Sequence, residues 1–161
     1  MKDLQIRVAD AGDATQIAAC LEAAFAPYRE LYTPGAYADT VPGVDGMLHR
    51  IVGMYVLMAV SDGQVVGTIA GTRNEQGEGQ LRGMAVLPEW QGSRVAGQLL
   101  VAIEKYLWEQ GCHRITLDTT LPLQRAIRFY ESHGYRHSGI TANFFGMVLY
   151  EYAKEGSGLA G

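Results

Sequence analysis

The clearest chemical pattern in this chain is a glycine-containing turn that follows an apolar stretch and opens directly into a helix. It spans residues 91–97, Gln-Gly-Ser-Arg-Val-Ala-Gly. The first N–H groups of a helix lack intrahelical acceptors, and the positive end of the helix dipole lies beside them, so anions bind there. Gly92 and Gly97 allow close approach of the backbone. The pattern predicts a phosphate-binding loop, and the alternative is a β–α turn with structural glycines.

Two nucleotide-binding motifs with comparable loops do not fit this segment. A Walker A loop requires Gly-Lys-Ser/Thr, which residues 91–97 lack. The dinucleotide fingerprint requires an acidic residue about 20 positions beyond its glycines, and Asp118 comes too late, after a complete helix. A phosphate bound here would therefore belong to another class of ligand, and a β–α turn with structural glycines stays the alternative.

Hydrophobic periodicity predicts the elements that precede this loop. A strand at 4–8 leads into an amphipathic helix that starts with the N-cap Asp10 and ends before Pro27. The segment 28–46 is punctuated by proline, glycine and tyrosine, which is typical of a loop that lines a substrate pocket. A short helix is predicted at 47–53.

Three strands then follow in an antiparallel meander. They are predicted at 55–60, 65–71 and 80–87. Asp62-Gly63 is a strong hairpin signal between the first two strands, and residues 74–77 form the second turn. Gly83 lies in mid-strand, where a glycine weakens the ladder, and it therefore predicts a β-bulge or a close approach of the backbone.

The second half of the chain alternates helices and strands. The helix after the loop ends at Gly111, and a strand at 114–119 leads to another helix that Gly134 closes. The last two strands are predicted at 135–141 and 144–152. The predicted fold class is α/β in the mixed α+β sense, with a mostly antiparallel sheet of six to seven strands and helices on both faces.

Two segments of the chain resemble motifs of the GNAT N-acetyltransferase superfamily. Residues 91–96 are similar to its Gln/Arg-x-x-Gly-x-Gly/Ala loop, which follows a strand here ending Ala-Val-Leu-Pro at 85–88. Residues 126–135, Ala-Ile-Arg-Phe-Tyr-Glu-Ser-His-Gly-Tyr, are similar to its Ala-x-x-x-Tyr-Glu-x-x-Gly-Phe/Tyr helix. The chain departs from the motifs at Arg94, where the family has its middle glycine, and at Leu123, where many members have asparagine.

The resemblance implies a splayed pair of parallel strands that holds acetyl-CoA as a co-substrate. Backbone groups of the strand would hold the pantetheine arm and the acyl carbonyl, and the loop amides would take the pyrophosphate. The cofactor-binding residues implied in this way are Met84, Ala85, Val86, Gln91, Gly92, Ser93, Arg94, Val95, Ala96 and Gly97. Arg94 either strains the turn, if its φ is positive, or adds a guanidinium near the phosphate.

The resemblance also identifies Tyr130 as the catalytic residue, the acid that protonates the departing thiolate. The competing interpretation is packing, because Tyr130 lies on the apolar stripe of its helix. The candidates for a base are Glu22, Glu78, Gln80 and His133. Gln80 stands where some family members have glutamate, so a water relay is the alternative to a carboxylate base. His133 precedes the capping Gly134, where a histidine commonly interacts with the helix C-terminus.

The resemblance also implies that the acceptor pocket lies between the first helices and the last hairpin, and packing is the alternative role for each residue expected there. These residues are Tyr28, Arg29, Tyr32, Asn143 and Phe144.

Composition limits the remaining possibilities. A chain of 161 residues fits one domain, predicted at 1–154 and followed by a flexible tail at 155–161. A net charge of −4 gives no basic face for nucleic acid, and no stretch approaches the length of a membrane span. Cys20 and Cys112 are read as buried thiols without zinc-ligand spacing, so no metal is expected. The expected location is the cytoplasm.

The leading hypothesis is an acetyl-CoA-dependent N-acyltransferase that acts on a primary amine of a small molecule, peptide or protein by direct attack. No nucleophile elbow or Ser-His-Asp pattern suggests a covalent enzyme intermediate. A non-catalytic acyl-CoA-binding module is the alternative from another class, and an α/β domain without a ligand is the third reading. A homodimer is the candidate assembly, because dimers are common in families of this kind.

Overall fold

The computed structural model describes residues 3–92 and 94–156, and these contain seven strands and five α-helices. The strands are β1 (Gln5–Val8), β2 (Tyr55–Ser61), β3 (Gln64–Arg73), β4 (Glu78–Val86), β5 (Arg114–Thr119), β6 (Arg136–Phe144) and β7 (Met147–Glu155). The helices are α1 (Ala14–Phe25), α2 (Pro34–Thr40), α3 (Val44–Gly53), α4 (Val95–Glu109) and α5 (Gln124–Ser132). The short helix predicted at 47–53 corresponds to α3.

Local sequence signals set several element boundaries as predicted. Asp10 and Asp13 form a capping box, in which Asp10 N–H donates to Asp13 Oδ2 at 2.8 Å, and the turn they close leads into α1. Asp62 and Gly63 both have positive φ, 50° and 74°, as a two-residue hairpin turn between β2 and β3 requires. These contacts lie within a few residues along the chain, which is why the sequence alone predicted them.

The strands form one sheet in the order β1-β2-β3-β4-β5-β7-β6. Neighbouring strands are antiparallel except β4 and β5, which are parallel and connected through α4. The expected fold class, a mixed and mostly antiparallel sheet that contains a parallel pair, is confirmed.

Helices cover both faces of the sheet. The face that includes Gly71 and Gly79 is covered by α4, whose Ile103 and Leu107 would contact a Cβ at those glycines. Arg82 pairs with Ala70, next to Gly71, so its side chain points to the opposite face. There it forms an ion pair with Asp39 of α2. The sheet therefore has α4 on one side and α2 on the other.

β4 and β5 separate soon after they begin. Their parallel pairing covers Glu78–Gln80 against Arg114–Thr116 and then stops, although β4 continues to Val86. Beside the separation, the register of β3 and β4 shifts between Thr68 and Ala70. Gly83 has φ +67° at this irregularity, which confirms the predicted bulge. The separation leaves one edge of β4 open for a ligand.

Two elements differ from the sequence-based expectation. Residues 28–46, expected to lack a long regular element, contain the seven-residue helix α2, which begins at Pro34 with Thr33 as its N-cap and was not predicted. The last hairpin turns at Phe145 and Gly146, both with positive φ, and β6 therefore runs past residue 141 to Phe144. One contact connects the two differences, because Gly35 of α2 packs against the ring of Phe145 in the hairpin turn. A Cβ at Gly35 would overlap that ring, so only glycine permits the contact.

The end of the predicted domain falls inside the last strand. β7 continues through Glu155, which pairs with Arg114 of β5, and the predicted boundary was at residue 154. Residues 157–161 of the predicted tail lie outside the described residues, so the flexible tail stays a prediction.

Candidate active site

A cavity of about 770 Å³ occupies the separation between β4 and β5 and extends beneath α1, α3 and α5. Most of the residues implied as a site meet there. Met84, Ala85, Val86, Gln91, Gly92, Ala96 and Tyr130 all line the cavity. Arg94, Val95 and Gly97 do not line it, and Ser93 lies outside the described residues. Of the five residues expected around an acceptor pocket, Tyr28, Tyr32 and Phe144 line the cavity, whereas Arg29 and Asn143 do not.

The loop conformation removes the strain considered for Arg94. Its φ is −81°, in the range that any residue adopts, and Arg94 precedes α4 as the N-cap residue. The glycine that the backbone requires is Gly92, with φ +80°. Gln98 N–H donates to Arg94 O at 3.0 Å, so the amides of Ala96 and Gly97 come before the first of these helical bonds. The N-terminus of α4 is therefore built as an anion site.

Arg125 is a further residue at this loop that the sequence analysis did not identify. It lies in the first turn of α5 and lines the cavity. Its Nη2 would be 3.1 Å from a Cβ at Gly92. A guanidinium over the phosphate loop supplies the positive charge that was considered for Arg94. No local signal marks this role, because 33 positions separate Gly92 and Arg125 in the sequence.

The open edge of β4 presents backbone groups to the cavity. Leu87 N–H donates to Val66 O of β3 at 2.9 Å, so Val86 directs its backbone groups away from β3. Val86 O accepts a hydrogen bond from Gln91 Nε2 at 3.1 Å, which ties the loop to the strand. By the same alternation, Met84 directs its N–H and C=O into the separation. An amide-containing arm can therefore add to β4 as a short strand.

Tyr130 is a buried phenol at the wall of the cavity. Its side chain is 6% exposed and packs edge-on against Tyr135 and Phe129, with ring centroids 5.8 and 5.5 Å away. Among the described residues its hydroxyl has no hydrogen-bond partner. Burial raises the pKa of Tyr130, so the hydroxyl keeps its proton at neutral pH. This group is suited to donate a proton to an anion that forms inside the cavity.

Asp118 is a second chemical group that the sequence analysis did not assign to the site. It lines the cavity from β5, and its partner across β7 is Glu151. Partial burial and the neighbouring Glu151 raise the pKa of the Asp118 carboxyl. Gln80 also lines the cavity and can hold a water molecule. The sequence analysis considered Asp118 only as a dinucleotide ligand. Its place in the cavity depends on the position of β5 beside the separation from β4.

The cysteines are remote from this chemistry. Cys20 and Cys112 are 2% and 6% exposed and belong to the hydrophobic core. Burial raises the pKa of the Cys20 thiol to about 12, so it is not a nucleophile at neutral pH. In residues 3–92 and 94–156 no three histidine, cysteine or acidic side chains are grouped to hold a metal ion. The same residues contain no helix that is long and apolar enough to span a membrane.

The combined geometry fits one long ligand with an anionic group and an amide-containing arm. The anion would lie at Gly92, Arg125 and the start of α4, and the arm would follow the open edge of β4 toward Gly83. These features are the ones that coenzyme A requires, namely an anion site and free backbone partners for its pantetheine amides. The residues of the cavity therefore fit the co-substrate that the motifs implied.

Comparison with known proteins gives a consistent result. The sequence model of the acetyltransferase (GNAT) family matches residues 17–135, most of the chain. The fold is similar to that of PaiA N-acetyltransferase from Thermoplasma acidophilum, solved in complex with coenzyme A, with 16% identity, a TM-score of 0.81 and coverage of 95% of this chain and 99% of that one.

Two other solved structures share the fold over almost their whole length. A ribosomal-protein-alanine N-acetyltransferase from Brucella melitensis has 20% identity and a TM-score of 0.74, covering 94% of this chain and 99% of that one. A GNAT acetyltransferase from Streptococcus pneumoniae has 18% identity and a TM-score of 0.73, covering 96% and 100%. At these identities the similarity describes the fold.

Proposed function

The chain belongs to the GNAT acetyltransferase family, and on that premise we propose that it transfers an acetyl group from acetyl-CoA to a primary amine of a small molecule, peptide or protein. The observation that carries this proposal is the shared cavity. The phosphate loop, the open edge of β4 and the Tyr130 hydroxyl all border the same space. A domain with the same fold but no acetyl-CoA-dependent activity would not need these three features in one cavity.

The reaction proposed is direct attack by the amine nitrogen on the acetyl carbonyl carbon. A C–N bond forms, the C–S bond breaks, and the departing sulfur takes the proton of Tyr130. The amine must lose a proton, and Asp118 accepts it directly or through a water held at Gln80. Because neither cysteine lines the cavity among the described residues, no cysteine acyl-enzyme enters this scheme.

Acetyl-CoA supplies an activated acyl group, and the chain supplies position and proton transfer. Backbone groups of Met84 and Val86 hold the arm, so the acyl carbonyl lies near the Gly83 bulge. Amides of Ala96 and Gly97, together with Arg125, take the pyrophosphate. Hydrogen-bond donors that are already fixed at a carbonyl stabilise the negative charge that develops on its oxygen during attack.

The test is release of free thiol from acetyl-CoA in the presence of a broad panel of amines, combined with a binding measurement. Acceptor-dependent release at micromolar enzyme supports the proposal. Binding of acetyl-CoA without release from any amine in the panel would instead favour a non-catalytic acyl-CoA-binding module. A ligand at 100 times its Kd adds about 2.7 kcal/mol of stability, so the lack of any thermal shift at large excess would favour a domain without this ligand.

Several expectations from the sequence stay predictions. They are the use of an amine rather than another acceptor, the cytoplasmic location and the homodimer. Size-exclusion chromatography with light scattering measures the last of these directly.

A further inference from the structure

Arg50 on α3 places a guanidinium at the wall of the cavity without a partner from the protein. It lines the cavity beside the bulge of β4, where a Cβ at Gly83 would collide with Arg50 Nη1. Among the described residues it makes no hydrogen bond, and no carboxylate lies within ion-pair distance. Burial lowers the pKa of Arg50 to about 10, so it remains charged at neutral pH.

The neighbouring charges do not neutralise Arg50. Asp39, the acidic residue whose charge acts on Arg50, is ion-paired with Arg82, with Nη2 and Oδ2 2.7 Å apart. Burial and repulsion from Arg82 lower the pKa of Arg50, and attraction to Asp39 offsets only part of that effect. This corner therefore holds two guanidinium groups and one carboxylate, a net charge of about +1. A partly buried cation is costly unless an anion compensates it.

The phosphates of the co-substrate are poorly placed to provide that anion. Arg82 lies on the face of the sheet that α2 covers and Arg50 reaches the neighbouring Gly83, whereas the phosphate loop opens into α4 on the opposite face. Gly83 is also three residues before the end of β4, about 10 Å along the strand. Arg125 already serves the loop at the other end of the cavity.

The opposite wall of the same space carries the carboxyl group of Asp118 on β5. Its neighbour on β7, Glu151, does not line the cavity and lies 3.7 Å from Arg114 Nη2 through its Oε1. The space beneath α1 and α3 is thus bordered by unneutralised guanidinium on the β4 side and by carboxylate on the β5 side. This distribution suits a ligand with an anionic group and an amine.

We propose that the acceptor amine carries a carboxylate, which Arg50 binds while the amine faces Asp118. A guanidinium matches a carboxylate through two parallel N–H···O bonds, so the interaction fixes the orientation of the acceptor as well as its charge. This inference rests on the proposed function, since it names the class of amine that the same site accepts.

The experiment compares amino acids with the corresponding amino acid amides and decarboxylated amines, using thiol release from acetyl-CoA. Aminoalkyl phosphates form a separate arm. The wild-type protein should have a kcat/KM at least about tenfold higher for the carboxylate members of each pair. Equal values across each pair, or a preference for the phosphate arm, would overturn the carboxylate assignment.

The variants are Arg50→Gln and Arg50→Lys, with Arg128→Gln as the matched control. Arg128 is exposed on α5 and does not line the cavity. Arg50→Gln should raise KM for carboxylate acceptors about tenfold or more and leave KM for the amides unchanged. Arg50→Lys should restore part of the preference, and Arg128→Gln should match the wild type.

Two further measurements keep the interpretation clear. The Kd of acetyl-CoA should be the same in Arg50→Gln and wild type, and an equal loss there would assign Arg50 to the co-substrate and refute the proposal. If Arg50→Gln does not fold, the comparison of amino acids with their amides in the wild-type protein still tests the carboxylate assignment. Thiol release at equal rates with charged and uncharged amines would contradict only this inference. No thiol release with any amine would contradict the proposed function itself.

Discussion

Tyr130 and Asp118 border the same cavity with opposite proton preferences. The phenol is deeply buried, which favours its neutral form. Partial burial and then the neighbouring Glu151 raise the pKa of the Asp118 carboxyl, which makes it a better proton acceptor than an ordinary aspartate. Pairs of titratable groups whose environments shift their pKa values in ways that suit a proton donor and a proton acceptor are typical of acid–base sites. In the proposed reaction, Tyr130 is therefore the proton donor for the thiolate and Asp118 is the proton acceptor for the amine.

Tyr130→Phe removes only the hydroxyl, and we expect kcat to fall about 10²-fold or more while the Kd of acetyl-CoA stays the same. The matched control is Tyr106→Phe, because Tyr106 stacks on Tyr55 and does not line the cavity. Steady-state kinetics and calorimetry measure both quantities. Full turnover in Tyr130→Phe would leave packing as its only role.

Asp118→Asn tests the proton acceptor through the pH profile of kcat/KM. The carboxylate must be ionised to accept a proton, and its raised pKa moves the acidic limb of the wild-type profile above the usual range near 3.8. The variant should lose that limb and show a lower, flatter rate. An unchanged acidic limb in Asp118→Asn would assign the limb to the amine or to another group.

At the scale of elements, the bulge in β4 does two things at once. Gly83 adopts φ +67° where the strand departs from β5, and the missing Cβ leaves room for Arg50 Nη1. The bulge therefore both opens the edge of β4 and admits Arg50 of α3 beside it, where the proposed function places the acyl group. A substitution here should affect function beyond its cost in stability.

Gly83→Ala and Gly63→Ala form a matched pair for this point. Both glycines have positive φ, +67° and +74°, but a Cβ at Gly63 would contact nothing within 4 Å. Each substitution should cost about 1–2 kcal/mol in free energy of unfolding, because alanine is strained at that φ. Only Gly83→Ala should also weaken acetyl-CoA binding and turnover. Equal activity of the two variants would separate the bulge from the site.

At the scale of the whole molecule, a buried polar network links the elements that carry the site. Glu104 of α4 is 8% exposed and accepts hydrogen bonds from Tyr135 Oη at 2.7 Å and from Lys154 Nζ of β7 at 3.1 Å. Tyr135 directly precedes β6 and packs on Tyr130. This network fixes α5 and the last hairpin against α4, and so holds Tyr130 in place.

Buried cysteine and tyrosine side chains should make the free energy of unfolding decrease at alkaline pH. Burial raises the pKa of Cys20 from 9.0 to about 12 and raises the pKa of Tyr130 and Tyr135 above 10.0. The unfolded chain releases these protons first, so stability should be complete below about pH 9 and fall above it, by up to about 1.4 kcal/mol per pH unit for each group. Urea unfolding between pH 7.5 and 11 measures this slope.

The control for that slope is Cys20→Ala, which should remove the part that begins near pH 9 and leave the part that begins near pH 10. A free energy of unfolding that stays constant up to pH 11 would contradict the expected deprotonation of these groups.

The sequence by itself determined what short-range contacts encode. The Asp10 capping box, the Asp62-Gly63 turn, the bulge at Gly83 and the helix start after Gly92 each depend on sterics or hydrogen bonds within a few residues. The order of elements follows from hydrophobic periodicity, and the family followed from two motifs in the correct order. The helix α2 within residues 28–46 was not predicted, because it is short and its Ala36 is buried only in the folded chain.

The tertiary structure decided which distant residues share the site. Arg50, Arg125 and Asp118 reach one cavity from α3, α5 and β5, and no spacing in the sequence records that convergence. The structure also gave Arg94 an ordinary φ and placed it outside the cavity lining. Convergence of this kind depends on the separation of β4 from β5 and on how helices pack over it, which are properties of the folded chain and not of any local segment.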